Sequence, residues 1–382
     1  MDRRTFLFGS LGAAALATTG CVTNKTATTT SSSTSGASAA PSSVATTGAK
    51  LDKVKAAWIY VGPINDGGWT QAHDEGRKYV EKQLGSKVVT TYKESVKEGP
   101  EASQVVEDLI KDGNNIIFAT SFGFGDALLA SAPKHPDVKF LHATGAWHNP
   151  TPNFGTYYGA TEEAKYLAGI AAARASKSGK IGFVAPFQIP EVVRHINAFA
   201  LGVRSVNPAA TVKVVTIQSW FDPSKERQAA DSLISQGIDV LANGGDSPAP
   251  GQAAKDKGLP WVGYDSDQSA NFPDIWLTAP IYNWGPYYVK QIQGVLDGTW
   301  VKEDYYGNLK DGFNALAPFG KIVAQSTKDE IEAKKAEITA GTFKIFKGPL
   351  KDNKGAEKVA AGSEVSADDL QAINWLVEGV VV

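Results

Sequence analysis

The residues of this sequence best suited to chemistry are aromatic and acidic side chains that directly follow short apolar segments. Aromatic rings stack on flat molecules, and carboxylates accept hydrogen bonds from N–H and O–H groups. Either an aromatic or an acidic residue follows each of six apolar segments, and together these residues predict a cleft for a flat, nitrogen-rich, uncharged ligand. The candidate binding residues at these positions are Asp66, Gly67, Trp69, Phe122, Phe124, Phe187, Glu191, Trp220, Asp246 and Asp265.

An enzyme that uses several aspartates and a metal, such as a nucleoside hydrolase, is the first alternative to a binding protein. Its carboxylates would be Asp66, Asp246, Asp265 and Asp267, which are dispersed along the chain rather than clustered. The sequence contains no Gly-x-Ser-x-Gly, no His-Glu-x-x-His and no phosphate-binding loop. Ser121–Gly125 is glycine-rich but lacks the spacing of a dinucleotide fingerprint. We therefore predict a protein without catalytic activity and without a cofactor.

The composition argues against metal clusters and nucleic-acid partners. The single Cys excludes a disulfide framework or a thiolate cluster. His142 and His148 are the nearest candidate pair for zinc, and we expect no metal site there. The 382 residues carry a formal net charge of −2, so no basic surface for nucleic acid is predicted. The 9 Trp, 12 Tyr and 16 Phe suit a protein that grips a flat or apolar molecule.

Strand-like and helix-like segments alternate from residue 55 onward, and they determine where these side chains would meet. Such alternation predicts βαβ units and parallel sheets. At this length we expect an α/β fold with two doubly wound sheets of about four to six strands each. Ligands in such folds bind beyond the carboxyl ends of the strands. Strands are predicted at 56–61, 88–92, 115–120, 138–143, 181–185, 212–219, 239–243, 260–264 and 275–279, and helices at 68–84, 101–112, 164–176, 190–205, 223–236, 251–257 and 328–340.

Residues 1–21 are predicted to be an export signal that ends in a lipidation site. Arg3-Arg4 precedes a short apolar run, which is typical of the twin-arginine export route. The run is too short to span a membrane, and it ends in Gly20-Cys21, which resembles a bacterial lipobox. We expect a lipid on Cys21 to anchor the exported protein to the bacterial cell membrane, with its body in the periplasm or extracellular space. Residues 22–50 are rich in Ser and Thr and are predicted to be a disordered tether.

Several motifs in this order resemble the basic membrane protein family of ABC-transporter solute-binding lipoproteins, which includes purine nucleoside receptors. The resemblance runs from about residue 53 to about residue 350. It implies a type I periplasmic-binding-protein fold, in which two α/β lobes close around a purine nucleoside or a related base. It also implies an ABC permease and its ATPase subunits as partners. The motifs are Ile64–Thr70 (INDGGWT), Glu75-Gly76, Ser121–Gly125 (SFGFG), Gly159–Ala173 (GATEEAKYLAGIAAA), Tyr264–Gln268 (YDSDQ), Gly312-Phe313 and Pro318-Phe319.

The resemblance also assigns roles to individual residues. The family's acidic residue near the first strand is similar to Asp66, and the aspartate that takes ribose hydroxyls is similar to Asp265. The family's binding aromatics are similar to Trp69, Phe122, Phe124 and Phe187, the last being the stacking aromatic of the second lobe.

Two positions depart from the family pattern. Thr70 stands where the family usually has Asn, and Asn283 stands where it commonly has a Lys that can reach the ribose. We include Asn283 among the candidate binding residues. Without that cation, a free base such as adenine becomes plausible beside a purine nucleoside.

The family layout implies one lobe formed by residues 51–159 with part of 283–325, and a second lobe formed by 160–282. Residues 326–382 would form a tail that packs across the lobes, with a short strand at 343–346.

Glu191 and Arg194 lie three residues apart on a predicted helix, where a local surface ion pair is expected. A ligand role for one of them is the alternative.

Two other kinds of binding protein stay open. Aromatic rings with carboxylates also suit a sugar or a nucleoside-like drug. A surface adhesin or a sensor without transport is compatible with the same features.

Overall fold

The computed structural model describes residues 48–144 and 150–382. The predicted signal, Cys21 and most of the predicted tether lie outside the described residues, as does His148. No helix among the described residues is long and apolar enough to cross a membrane.

Strands and helices alternate along most of the chain, as the sequence predicts. The strands are β1 (Val54–Ile59), β2 (Val88–Lys93), β3 (Ile116–Ala119), β4 (Lys139–Ala143), β5 (Phe154–Gly159), β6 (Lys180–Ala185), β7 (Thr211–Thr216), β8 (Val240–Asn243), β9 (Trp261–Val262), β10 (Trp276–Thr278), β11 (Pro280–Tyr282), β12 (Asp304–Gly307), β13 (Asn314–Leu316), β14 (Leu350–Lys351), β15 (Glu357–Val359) and β16 (Val380–Val381). The helices are α1 (Trp69–Leu84), α2 (Pro100–Lys111), α3 (Gly125–Ser131), α4 (Thr161–Ala175), α5 (Pro190–Val206), α6 (Pro223–Ser235), α7 (Ala249–Lys257), α8 (Trp284–Asp297), α9 (Gln325–Thr339) and α10 (Ala367–Gln371).

Two parallel sheets of six strands each form the framework. The first, called sheet I, has the order β12-β5-β4-β3-β1-β2, and the second, called sheet II, has the order β10-β9-β8-β6-β7-β16. In each sheet the strand that comes first in the chain has its next two strands on opposite sides. Such an inversion creates a crevice at the carboxyl ends of the strands. The predicted α/β fold with two doubly wound sheets is confirmed.

The strands at the centre of each sheet are buried on both faces. All residues of β3 and of β8 are buried, and both strands are short and apolar except for Asn243 at the end of β8. This is the pattern expected of parallel strands that are covered by helices on both sides. The loops that follow these strands therefore start from rigid positions.

The chain returns to sheet I after completing most of sheet II. Helix α8 packs against α1, and β12 pairs in parallel with β5 at the edge of sheet I. The residues of sheet I thus come from both ranges that the sequence predicts for the first lobe. The division into lobes itself stays a prediction.

The C-terminal residues pack on the sheet II side of the molecule. Helix α9 packs against α4, and β16 adds a parallel strand beside β7. The strand predicted at 343–346 is wrong, because this segment forms an irregular turn. The aromatic residues of this segment pack against helices instead of forming a strand. Phe346 is buried in a cluster with residues of α4 and α5, and the ring of Phe343 lies 5.2 Å from that of Tyr166.

Candidate functional site

The loops that follow β1, β3, β6, β7 and β8 converge on one narrow cleft, whose cavity is about 20 Å³. This space holds about one water molecule, so a small-molecule ligand requires the loops to move apart. Five residues that the sequence singles out are brought together there: Trp69, Phe122, Glu191, Trp220 and Asp246. The full lining consists of Val61, Trp69, Ser121, Phe122, Thr144, Glu191, Val192, His195, Trp220, Gly244, Asp246 and Tyr264.

Two indole rings of the cleft are fixed by their neighbours. Trp69 Nε1 donates a hydrogen bond to the carbonyl oxygen of Thr120 at 2.6 Å, and its ring meets that of Trp284 edge to face at 5.3 Å. Trp220 meets the ring of Phe187 at 4.9 Å, also edge to face. Phe187 thus supports a lining residue without being one of the lining residues itself. Rings held in this way present preformed apolar surfaces to a ligand.

Phe122 and Phe124 lie in one short turn but have opposite environments. Phe122 is 53% exposed and lines the cleft. Phe124 is fully buried in the core of sheet I with Phe140 and Leu128. The prediction that Phe124 binds ligand is therefore corrected, because its ring is used for packing.

Asp246 is a buried carboxylate with an unused acceptor. Its Oδ2 atom has no hydrogen-bond partner among the residues the structure describes, although the residue is only 4% exposed. Burial raises the pKa of Asp246 well above its ordinary value, and the nearby carboxylates of Asp265 and Asp66 raise it further. A ligand N–H or O–H group would relieve this unfavourable state.

Asp265 does not line this cleft, but it also has unused acceptors, here on both carboxylate oxygens. Neither oxygen has a partner in the described part of the chain, and the residue is buried. Its backbone φ is 65°, a left-handed conformation that Asp adopts more readily than most residues, and its N–H donates to Pro280 at 2.9 Å. Burial raises the pKa of Asp265, while the charge of Lys165 lowers it. Orphaned buried carboxylates at a strained backbone position point to a functional site.

Glu191 is held by a chain of tyrosine hydroxyls rather than by the expected ion pair. Tyr158 donates to its Oε1 atom at 2.7 Å, and Tyr282 donates to Tyr158 at 2.9 Å. Arg194 instead pairs with Glu162 on α4, with 3.2 Å between Nε and Oε2. The predicted surface ion pair between Glu191 and Arg194 is wrong, because Arg194 is buried and its guanidinium group pairs with α4 instead. Burial raises the pKa of Glu191.

Asp66 and Asn283 are placed differently from their predicted roles. Asp66 accepts hydrogen bonds from the backbone N–H groups of Gly68, Thr70 and Gln71 at 2.8 to 3.0 Å, so it caps the start of α1. Asn283 is exposed where α8 begins and does not belong to the cleft lining. The structure therefore gives Asp66 a capping role and leaves Asn283 outside this cleft.

Loops from the two sheets touch beside the cleft at Gly67 and Gly68. The carbonyl oxygen of Gly67 accepts hydrogen bonds from Ser266 Oγ at 2.5 Å and from Gln268 Nε2 at 2.7 Å. A Cβ atom on Gly68 would lie 2.3 Å from the carbonyl oxygen of Asp246, which no side chain could tolerate. These contacts, called the Gly67 contact below, join the loop after β1 to loops of sheet II.

Sequence reasoning missed two buried basic residues near the cleft. His195 lines it, and its Nε2 atom has no partner within the described ranges. Burial and the charges of Arg194 and Lys165 lower its pKa well below the ordinary value, so the imidazole is neutral. Lys165, on α4, is 1% exposed. A lone lysine within an alanine-rich helix was the signal available in the sequence.

The fold and the family can be compared with known proteins. The Bmp family model, described as ABC transporter substrate-binding protein PnrA-like, matches residues 53–347. A purine-binding protein of Brucella abortus is 41% identical over 86% of this chain and 93% of its own length. A protein of Haloferax volcanii, provisionally named an ABC transporter glucose-binding protein, is 39% identical over 74% of this chain and 71% of its own.

Solved structures support the same fold. An ABC transporter solute-binding protein of Aeropyrum pernix superposes with a TM-score of 0.68 at 18% identity, covering 78% of this chain and 93% of that one. A second solute-binding protein, from Conexibacter woesei, gives a TM-score of 0.62 at 20% identity, with 76% and 98% covered. The resemblance noted in the sequence is confirmed: the chain belongs to the Bmp family of ABC transporter substrate-binding proteins.

Proposed function

We propose that this protein captures a purine in the cleft between its two sheets and delivers it to an ABC permease. The observation that carries the proposal is the combination of fixed aromatic rings with buried carboxylate oxygens that lack partners. A purine offers a flat ring for the former and N–H groups for the latter. The name of the Brucella abortus relative supports the same ligand class. Binding takes place without chemical change of the ligand.

The ligand is either a free base such as adenine or a purine nucleoside. Asn283 is uncharged and lies outside the cleft lining. The position where the family commonly has Lys therefore supplies no cation to the ligand. Asp265 retains two unpaired oxygens that suit either base N–H groups or ribose hydroxyls. Both ligands therefore belong in the same binding experiment.

A sugar is the second candidate, and the Haloferax volcanii relative supports it by name. Sugars also use aromatic faces and carboxylate acceptors. The two relatives are 41% and 39% identical to this chain, so a sugar belongs in the same binding experiment as the purines.

The proposal includes export and anchoring. The Arg3-Arg4 signal and the Gly20-Cys21 sequence support a lipid on Cys21 and a body held at the outer face of the cell membrane. Two lobes, 51–159 with part of 283–325 and 160–282, would close around the ligand, and closure would present the loaded protein to the permease.

Two aspartate variants test the site. We expect Asp246→Asn to weaken binding of the preferred purine about 10- to 100-fold, because the ligand donor would face an amide in place of a buried carboxylate. Asp267→Asn is the matched control, since Asp267 is exposed and, among the described residues, its side chain accepts a hydrogen bond only from the backbone N–H of Ser269. Calorimetric titration of refolded, ligand-free protein measures both. Equal affinities for the two variants would remove Asp246 from the site.

A further inference from the structure

Lys165 is a buried ammonium group with incomplete hydrogen bonding. Its Nζ atom lies 3.2 Å from the carbonyl oxygen of Asn243 and 3.5 Å from the centroid of the Tyr264 ring. No carboxylate oxygen in the described ranges lies within 4.0 Å of it. An ammonium group carries three N–H donors. The hydrogen bond that it donates to Asn243 and its contact with the Tyr264 ring leave part of this donor capacity unused.

The surroundings of Lys165 belong to the cleft. Tyr264 lines the cleft, and Asn243 directly precedes Gly244, which also lines it. His195, another lining residue, is close enough for the charge of Lys165 to lower its pKa. An acceptor bound against these residues would therefore be next to the ammonium group.

Asp265 complements the charge of Lys165, although it is not one of the residues that line the cleft. It directly follows Tyr264 in the chain, and the charges of the two groups influence each other. Despite this, they form no ion pair, and both carboxylate oxygens of Asp265 are unpaired. Burying two opposite charges without direct contact is costly unless something else bonds to both.

A purely structural role for Lys165 explains less. Its bond to Asn243 and its contact with Tyr264 would tie α4 to the ends of β8 and β9. A neutral side chain could fill the same volume without the cost of desolvating a charge. The structural role also gives no reason for the unpaired oxygens of Asp265.

We propose that Lys165 and Asp265 form one recognition unit that selects ligands in which a lone pair stands beside an N–H or O–H donor. Lys165 donates to the lone pair, and Asp265 accepts from the neighbouring donor. The inference rests on the proposed function, because it concerns the same cleft. Both the ring edge of a purine base and the vicinal hydroxyls of a ribose carry this chemistry.

The unit makes the contribution of Lys165 dependent on pH. Burial lowers the pKa of Lys165 to about 7, and Asp265 opposes that shift. The other groups that face it are neutral His195 and the aromatic rings of Tyr264 and Phe183. Above about pH 7 the free protein loses the proton that the ligand's lone pair requires, so the advantage given by Lys165 shrinks as pH rises. Burial also raises the pKa of Asp265, whose acceptor strength increases on deprotonation, so only a comparison with a variant isolates Lys165.

The test compares Lys165→Met with the wild-type protein and with Lys257→Met, in which an exposed lysine on α7 is changed. The probes are adenine, adenosine, hypoxanthine and inosine, and calorimetry is performed at about pH 6 and about pH 8. We expect Lys165→Met to weaken the tightest wild-type probe about 10- to 100-fold at the lower pH and less at the higher pH, while Lys257→Met behaves as the wild type.

The outcomes separate the inference from the proposed function. If the wild type binds a purine and Lys165→Met binds it equally well, or with the same ratio at both pH values, the recognition unit does not exist. If the wild type binds none of the four probes, the proposed function is overturned and the inference with it. If Lys165→Met weakens the binding of a free base, the unit contacts the edge of the base. If it weakens the binding of nucleosides alone, the unit contacts the ribose. If Lys165→Met does not fold, Lys165→Gln replaces it, and the same criteria apply.

Discussion

At the scale of single residues, the cleft combines rings that are fixed by neighbours with acceptors that have no neighbours to bond. Trp69 and Trp220 are held by neighbouring groups, whereas Asp246 keeps a carboxylate oxygen that has no partner in the described part of the chain. Fixed rings reduce the entropy lost on binding, and free acceptors supply polarity that only the ligand can satisfy.

Phe122 provides a residue-scale prediction, because it is 53% exposed and supports no core. We expect Phe122→Ala to weaken ligand binding about three- to tenfold, from the loss of an aromatic contact, and to leave the melting temperature unchanged. Leu129→Ala on α3 is the control, since Leu129 is also exposed but lies outside the cleft lining. Calorimetry and thermal denaturation measure the two effects. If Phe122→Ala also lowered the melting temperature, Phe122 would be a packing residue rather than a ligand contact.

The sequence could identify the type of these residues but not their environment. Phe122 and Phe124 are equivalent in the sequence, and only the short turn that carries them decides which one enters the core. Asp66 has the residue type of a ligand acceptor. In the structure its oxygens accept from three backbone N–H groups at the start of α1, and the position of these groups depends on the fold. Lys165 was missed because a lysine on a predicted helix is usually exposed, and α4 is buried between other elements.

At the scale of elements, the predicted alternation of strands and helices is confirmed along most of the described chain. The apolar runs of β3 and β8 are clear because parallel strands are buried on both faces. Strand β5 was missed, since Gly155 and Gly159 weaken its pattern. Its glycines have a packing reason: a Cβ on Gly155 would lie 2.8 Å from a backbone oxygen of Glu303 beside β12.

The Gly67 contact gives an element-scale prediction about opening of the cleft. Replacing both Ser266 and Gln268 with Ala removes the two donors to the Gly67 carbonyl. We expect the ligand to dissociate about 10- to 30-fold faster, with little change in the association rate, because two neutral hydrogen bonds of about 1 kcal/mol each would no longer join the loops. Stopped-flow tryptophan fluorescence measures both rates, with Ser269→Ala as the control. An unchanged dissociation rate would mean that this contact does not limit opening.

At the scale of the whole molecule, the two sheets are built alike and the cleft takes residues from both. Sheet I supplies Trp69 and Phe122, and sheet II supplies Trp220 and Asp246. The family and fold were accessible from the sequence because their motifs are local. The sequence could not decide between a base, a nucleoside and a sugar as the ligand, since that choice depends on distances between side chains from different sheets.

The most direct test of the account is calorimetric titration of the refolded, ligand-free protein with adenine, adenosine and glucose. Unfolding and refolding first removes any ligand carried through purification. The account predicts micromolar or tighter binding of at least one of the two purines and no measurable heat with glucose. Binding of glucose alone, or of none of the three, would contradict the purine assignment.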